Sequence, residues 1–92
     1  MISREPLRYT PAGIPVIDAV LAHVSQQLEG GHVRQVEFEM AARFAADQAQ
    51  RLERLPLGSE LAARGFLAPR RKGSSGLRLH VTAFTRVEPA SS

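Results

Sequence analysis

The chain has 92 residues, of which 43% are apolar and 23% charged, with a net charge of +3. That length holds one small core and excludes a second, while the apolar share excludes a disordered chain. No cysteine is present, which excludes disulfides and cysteine-bound zinc.

The apolar runs all fall well short of the ~20 residues a membrane helix needs. The start lacks the basic, apolar and small-residue pattern of a secretory signal, so a cytoplasmic protein is expected. Pro6-Leu-Arg-Tyr-Thr10 reads as a short extended piece, because Pro6 and Pro11 both disfavour helix. Thr10-Pro-Ala-Gly13 reads as a turn. Residues 16–24 carry apolar side chains that suit a buried strand or a short helix, and the flanking turn signals favour strand. Residues 26–31 read as a loop ending in Gly30-Gly31.

Between 33 and 40, Val36, Phe38 and Met40 alternate with Gln35, Glu37 and Glu39. This period of two predicts a strand with one buried face, Phe38 pointing inward. Residues 41–55 are rich in Ala, Gln, Arg, Glu and Leu and predict a helix stopped by Pro56, with Phe44, Ala45, Gln48, Leu52 and Leu55 on one face. A further strand follows over 60–68. Leu61, Ala63 and Leu67 share its face, and Gly65 between them marks a bulge, a bend or a close backbone approach. Residues 69–76 form a basic Gly/Ser loop. Over 77–84, Leu77, Leu79, Val81 and Ala83 face in, while Arg78, His80 and Thr82 face out. The domain spans 1–88, with a disordered tail at 89–92.

Charge is unevenly spread. Residues 1–60 hold six basic and eight acidic side chains, whereas residues 61–87 hold six basic and none acidic. Eleven of the twelve cations are arginine, whose planar fork suits phosphate oxygens. An acid-free span around a Gly/Ser loop points to an anionic partner. His23, His32 and His80 match no metal-ligand spacing, and no nucleophile–base set assembles, so neither a metal, a cofactor nor catalysis is expected.

Five strands with a helix between the third and fourth is the order of the OB fold, a mainly β Greek-key barrel. More specific signals lie in Glu5-Pro-Leu-Arg-Tyr-Thr-Pro-Ala-Gly-Ile-Pro15, Leu21-Ala-His23, Gly31-His-Val-Arg34, Leu57-Gly-Ser59, Gly65-Phe-Leu-Ala68 and Leu79-His-Val81. In this order they resemble the primosomal replication protein N (PriB) family, over most of the chain. The resemblance implies an OB-fold homodimer that binds single-stranded DNA during replication restart, with the PriA helicase and DnaT as partners. It places phosphate contacts at Arg8, Arg34, Arg70, Arg71, Lys72 and Arg78. Family members begin with an alternating strand, where this chain has only Met1-Ile-Ser3. The first strand is therefore expected to be incomplete, through a misassigned start or a natural short form.

Stacking residues are scarce, since aromatics make up 5% of the chain. Phe38, Phe44 and Phe84 read as core, and Phe66 as core or a dimer contact ahead of a stacking role. Tyr9 is the remaining platform for a base. Binding should then be mainly electrostatic. The alternative is a protein-interaction module of the primosome with little DNA affinity; an RNA-binding OB domain is a weaker third reading.

Overall fold

Seven elements follow one another along the chain: β1 (Ser3–Arg4), β2 (Arg8–Tyr9), β3 (Pro15–Glu29), β4 (His32–Ala45), α1 (Asp47–Glu53), β5 (Leu61–Pro69) and β6 (Leu77–Arg86). The computed structural model describes residues 1–70 and 76–87. Arg71 and Lys72 of the basic loop, and the expected tail at 89–92, lie outside the described residues. The six strands form one sheet in the order β1-β3-β4-β6-β5, with β2 also paired to β3. The β4–β6 ladder is parallel, because the chain crosses through α1 and β5 before returning beside β4.

The expected barrel does not close. Among the described residues no ladder joins β5 to β1, and β1 is only two residues long, too short to supply one. Met1 instead ties the segment before β1 to the turn before β5. Its amino group donates to the Ser59 carbonyl at 2.8 Å, and its carbonyl accepts from the Gly58 amide at 2.9 Å.

Two element boundaries differ from the sequence reading. The loop expected at 26–31 is a two-residue turn at Gly30 and Gly31, with φ of 57° and 82°. Both central residues need positive φ there, which glycine adopts at no steric cost, so the strands run on to Glu29 and His32. The helix expected at 41–55 shrinks to Asp47–Glu53, and residues 41–45 belong to β4. Their Ala-rich composition favours helix locally. Pairing with β3 on one side and β6 on the other overrides that preference.

The core lies between one sheet face and α1. Ile17 and Ala19 of β3, Ala42 and Phe44 of β4, Ala49 and Leu52 of α1, and Val81 and Phe84 of β6 are buried together. Phe44 and Phe84 meet edge to face with centroids 5.2 Å apart, a geometry worth about 0.5–1.5 kcal/mol beyond area burial. Arg4 ties β1 to the end of the helix, its Nη1 donating to the Leu52 and Leu55 carbonyls. They lie at the C-terminal end of α1, where the Leu52 carbonyl also accepts from the Leu55 amide at 3.0 Å, and a cation suits the negative end of a helix.

Phe38 is a correction. It lies on the same face of β4 as Met40, Ala42 and Phe44, as alternation requires. Yet the β3–β4 hairpin continues past the core, and Phe38 remains 44% exposed. There it stacks on His23, directly opposite, at 4.8 Å.

Phe84 and Ala83 could not both face inward under strict alternation, and the register shows how the conflict resolves. Arg64 pairs with Ala83 and Gly65 with Val81, so Thr82 has no ladder partner. This bulge shifts the alternation by one residue and carries Phe84, in place of Ala83, into the core. The Thr82 hydroxyl donates to the Arg64 carbonyl at 3.2 Å.

Candidate nucleic-acid interface

The face of the sheet opposite the core is built by the residues between the buried ones. Asp18 pairs with Arg43, Arg43 with His80, and His80 with Phe66. Directly opposed residues share a face, so these four form one row across β3, β4, β6 and β5. The next row is Val20, Ala41, Arg78 and Ala68. Arg8 joins from β2, where it lies opposite Val16.

One carboxylate organises the basic groups. Asp18 Oδ1 accepts from Arg43 Nε at 2.8 Å, and its Oδ2 accepts from Arg8 Nη1 at 2.9 Å and Arg43 Nη2 at 3.3 Å. Burial works against the charged form of Asp18. The hydrogen bonds and charges of Arg43 and then Arg8 outweigh it, and the carboxyl sits below its ordinary value. The hydrogen bond to Asp18 in turn raises Arg43 against the effect of burial.

Arg78 stands in a more positive setting. Burial lowers its value first, and the charge of Arg43 next; Asp18 pulls the other way, and Arg70 and Arg8 lower it further. The guanidiniums of Arg43, Arg70 and Arg8 therefore all lie near enough to act on that of Arg78, as does the Asp18 carboxylate. Arginine stays charged throughout the ordinary pH range, so this is a standing positive field. Glu39 and Glu37 lie further out on the same face of β4. Glu39 is four residues from Arg43, about 13 Å along the strand, and bounds the basic patch on the hairpin side.

The structure thus brings together Arg8, Arg70 and Arg78 of the residues expected to contact phosphate. Arg70 also starts the basic loop, its amide donating to the Gly76 carbonyl at 3.0 Å. Arg34 is elsewhere. It pairs with Glu29 at 3.2 Å near the hairpin end, nine residues and about 30 Å of strand from Arg43. Tyr9 is exposed, but it follows Arg8 in β2 and lies opposite Pro15, so alternation turns it to the other face.

Arg43, His80 and Phe66 were not among the expected contacts. Arg43 was hidden by the helix reading; carrying the alternation of Val36, Phe38 and Met40 on to Ala42 and Phe44 would have placed it outward beside Glu37 and Glu39. Phe66 is not in the core of the chain: it is 58% exposed, with its ring stacked on His80 at 5.1 Å and an interplanar angle of 4°.

The profile of a single-strand binding protein family matches residues 1–83. The chain is 42% identical over 81 residues to the replication restart protein PriB of Bordetella pertussis, spanning 88% of this chain and 76% of that protein. The solved structure of PriB from Ralstonia solanacearum is 36% identical, with a TM-score of 0.82 over 95% of this chain and 88% of that one. A deletion mutant of the single-stranded DNA binding protein from Thermus aquaticus is 22% identical, with a TM-score of 0.70 over 90% of this chain and 44% of that one, and shares the fold. These neighbours carry the OB fold that the element order predicts. By sequence match, coverage and fold together, this chain belongs to the PriB family of single-strand binding proteins.

Proposed function

We propose that this protein binds single-stranded DNA as an accessory of the primosome in replication restart. The observation that carries the reading is the gathering of Arg8, Arg43, Arg70 and Arg78 on one open sheet face of a single-strand binding family member. Phosphate contacts come from this face and from loop 69–76, through Arg8, Arg70, Arg71, Lys72 and Arg78; a contact at Arg34 would be a separate one, near the hairpin end on the other face. Tyr9, turned to the other face, lies outside this track. The protein acts in the cytoplasm as a homodimer, with the PriA helicase and DnaT as partners, and its role is binding without catalysis.

The test is replacement of Arg70, Arg71 and Lys72 together by Ala, followed by titration with a poly-dT oligonucleotide over a range of salt. Removing one phosphate contact flattens the log–log salt dependence by about 0.7 for a single strand. Removing all three lowers the slope by about 2 and weakens binding. Unchanged affinity and slope would remove the loop from the interface.

A second reading, a primosome interaction module with little DNA affinity, is favoured by Glu37 and Glu39 on the outer face and by the pairing of Arg8 and Arg43 to Asp18. It requires that the protein fail to bind DNA at about 0.15 M ionic strength while still binding the helicase.

A further inference from the structure

We infer that Phe66 and His80 form a stacking site for one base of a single strand, with Arg43 and Arg78 placed for the phosphates beside it. This rests on the reading of the protein as a single-strand binder.

The two rings are nearly parallel, and Phe66 is 58% exposed, so a ring face remains open to solvent. An aromatic pair of this kind serves the core in most small domains. Here it lies on the outer face, one strand away from Arg43 and one row away from Arg78. The neighbouring outward positions of the next row, Ala41 and Ala68, carry only methyl groups. They flank Arg78 in that row, and Ala68 is the small neighbour of Phe66 along β5. Every base has a π-face, and stacking on an aromatic ring holds it without reading sequence.

Charge complementarity selects the occupant. The rows on one face of a strand repeat every two residues, about 7 Å, which is close to the spacing of successive phosphates along an extended strand. His80 lies opposite Arg43 on β4, and two residues earlier on β6 lies Arg78. A base on the Phe66–His80 pair therefore has a guanidinium across the sheet and another along it, and an apolar protein partner would have to bury both charges. Asp18 holds Arg43 with its long axis fixed, which orients that guanidinium within the face.

The chain contains no tryptophan, so Phe66→Trp creates a single fluorescent reporter at the site. On addition of a dT oligonucleotide its emission is expected to be quenched, saturating at the stoichiometry found by mobility shift. An oligonucleotide of abasic residues should bind through its phosphates with far less quenching. Phe66→Ala should weaken dT binding by about 5- to 150-fold, the measured range for loss of one stacked base, and leave the salt slope unchanged, because no phosphate contact is removed. Phe66→Leu should behave like Phe66→Ala in binding while keeping the wild-type unfolding midpoint.

Unquenched emission at saturating dT, with binding confirmed by mobility shift, overturns the inference and leaves the single-strand reading intact. So does an affinity of Phe66→Ala equal to wild type. If Phe66→Ala instead changes the sedimentation coefficient with no change in affinity, the residue is an interface between copies and the inference fails. If wild-type protein binds no oligonucleotide even at low salt, both the inference and the reading beneath it fall.

Discussion

Gly65→Ala is expected to destabilise the protein by about 2–4 kcal/mol. A Cβ placed on Gly65 would lie 1.9 Å from the His80 carbonyl oxygen, 2.7 Å from its carbon and 3.0 Å from Val81 Cα. All three are backbone atoms of the neighbouring strand, so no rotamer change relieves the contact. Close carbon–oxygen approaches between strands settle at about 3.3–3.6 Å, so β5 must withdraw from β6 by more than about 1 Å. The withdrawal falls on the Gly65–Val81 and Phe66–His80 pairs, next to the bulge. Two or three ladder hydrogen bonds are then broken or lengthened, at about 0.5–1.5 kcal/mol each. Looser packing of Val81 adds to this. The smaller unfolded-state entropy of Ala gives back only about 0.4–1 kcal/mol. Urea unfolding followed by far-UV circular dichroism measures the difference. Stability within about 0.5 kcal/mol of wild type, the scatter of neutral surface changes, would refute the reasoning.

Asp18→Asn should have opposite effects on stability and on binding. It removes the negative charge and one of the two oxygens that accept three guanidinium hydrogen bonds, and because the pair is partly exposed the loss at neutral pH is about 1 kcal/mol. The folded-state carboxyl titrates below its ordinary value, so the stability it contributes is complete above the unfolded value of about 3.9 and disappears as pH falls through the folded value. The stability curves of the wild type and of the Asp18→Asn variant should therefore be separated at neutral pH and merge in acid; a constant gap down to the lowest pH counts against the pairing. Poly-dT affinity should rise in the same variant, with a salt slope steeper by about 0.7 for each guanidinium released to a phosphate; weaker binding would show that Asp18 aids contact by orienting Arg43. At the entry to α1, Ala46 has φ 56° and ψ −129°, a backbone conformation open to glycine. Ala46→Gly should raise stability by about 1 kcal/mol through relief of that strain, and a lower unfolding midpoint would contradict it.

The sequence was legible wherever its side chains alternate as the two faces of a strand do. Val36, Phe38 and Met40 announce β4, and Leu61, Ala63 and Leu67 announce β5 with Gly65 at the close approach. Legibility failed where the environment is not that of an ordinary strand. Residues 25–29 are polar apart from Leu28, which is itself exposed, because both faces of the projecting hairpin are solvated, so they lack the alternation of a half-buried strand and pass for a loop. At 15 residues of about 3.3 Å, β3 spans nearly 50 Å, comparable to the 52 Å longest dimension of the molecule. Residues 41–45 pass for helix because Ala is small enough to pack between strands and is also the best helix former. That second error concealed Arg43, and with it the centre of the basic face. A lone acid on an apolar strand needs a cation, and Asp18 has two.

The bulge at Thr82 connects stability to the proposed site. On strict alternation β6 would turn Phe84 to the same face as Arg78 and His80. The core would then lose the edge-to-face partner of Phe44, and the ring on which Arg51 lies, 4.5 Å from the Phe84 centroid. A bulky apolar ring would also crowd the outer face. One unpaired residue separates the two demands: before it, the polar members of β6 face outward, and after it, Phe84 faces inward. The glycine opposite is part of the same device, because the bulge brings the His80 carbonyl so near Gly65 that no side chain fits between the strands. The outer row of Asp18, Arg43, His80 and Phe66 and the buried pair of Phe44 and Phe84 are thus set by one register shift. A substitution chosen to disturb either of them has to be checked against the other.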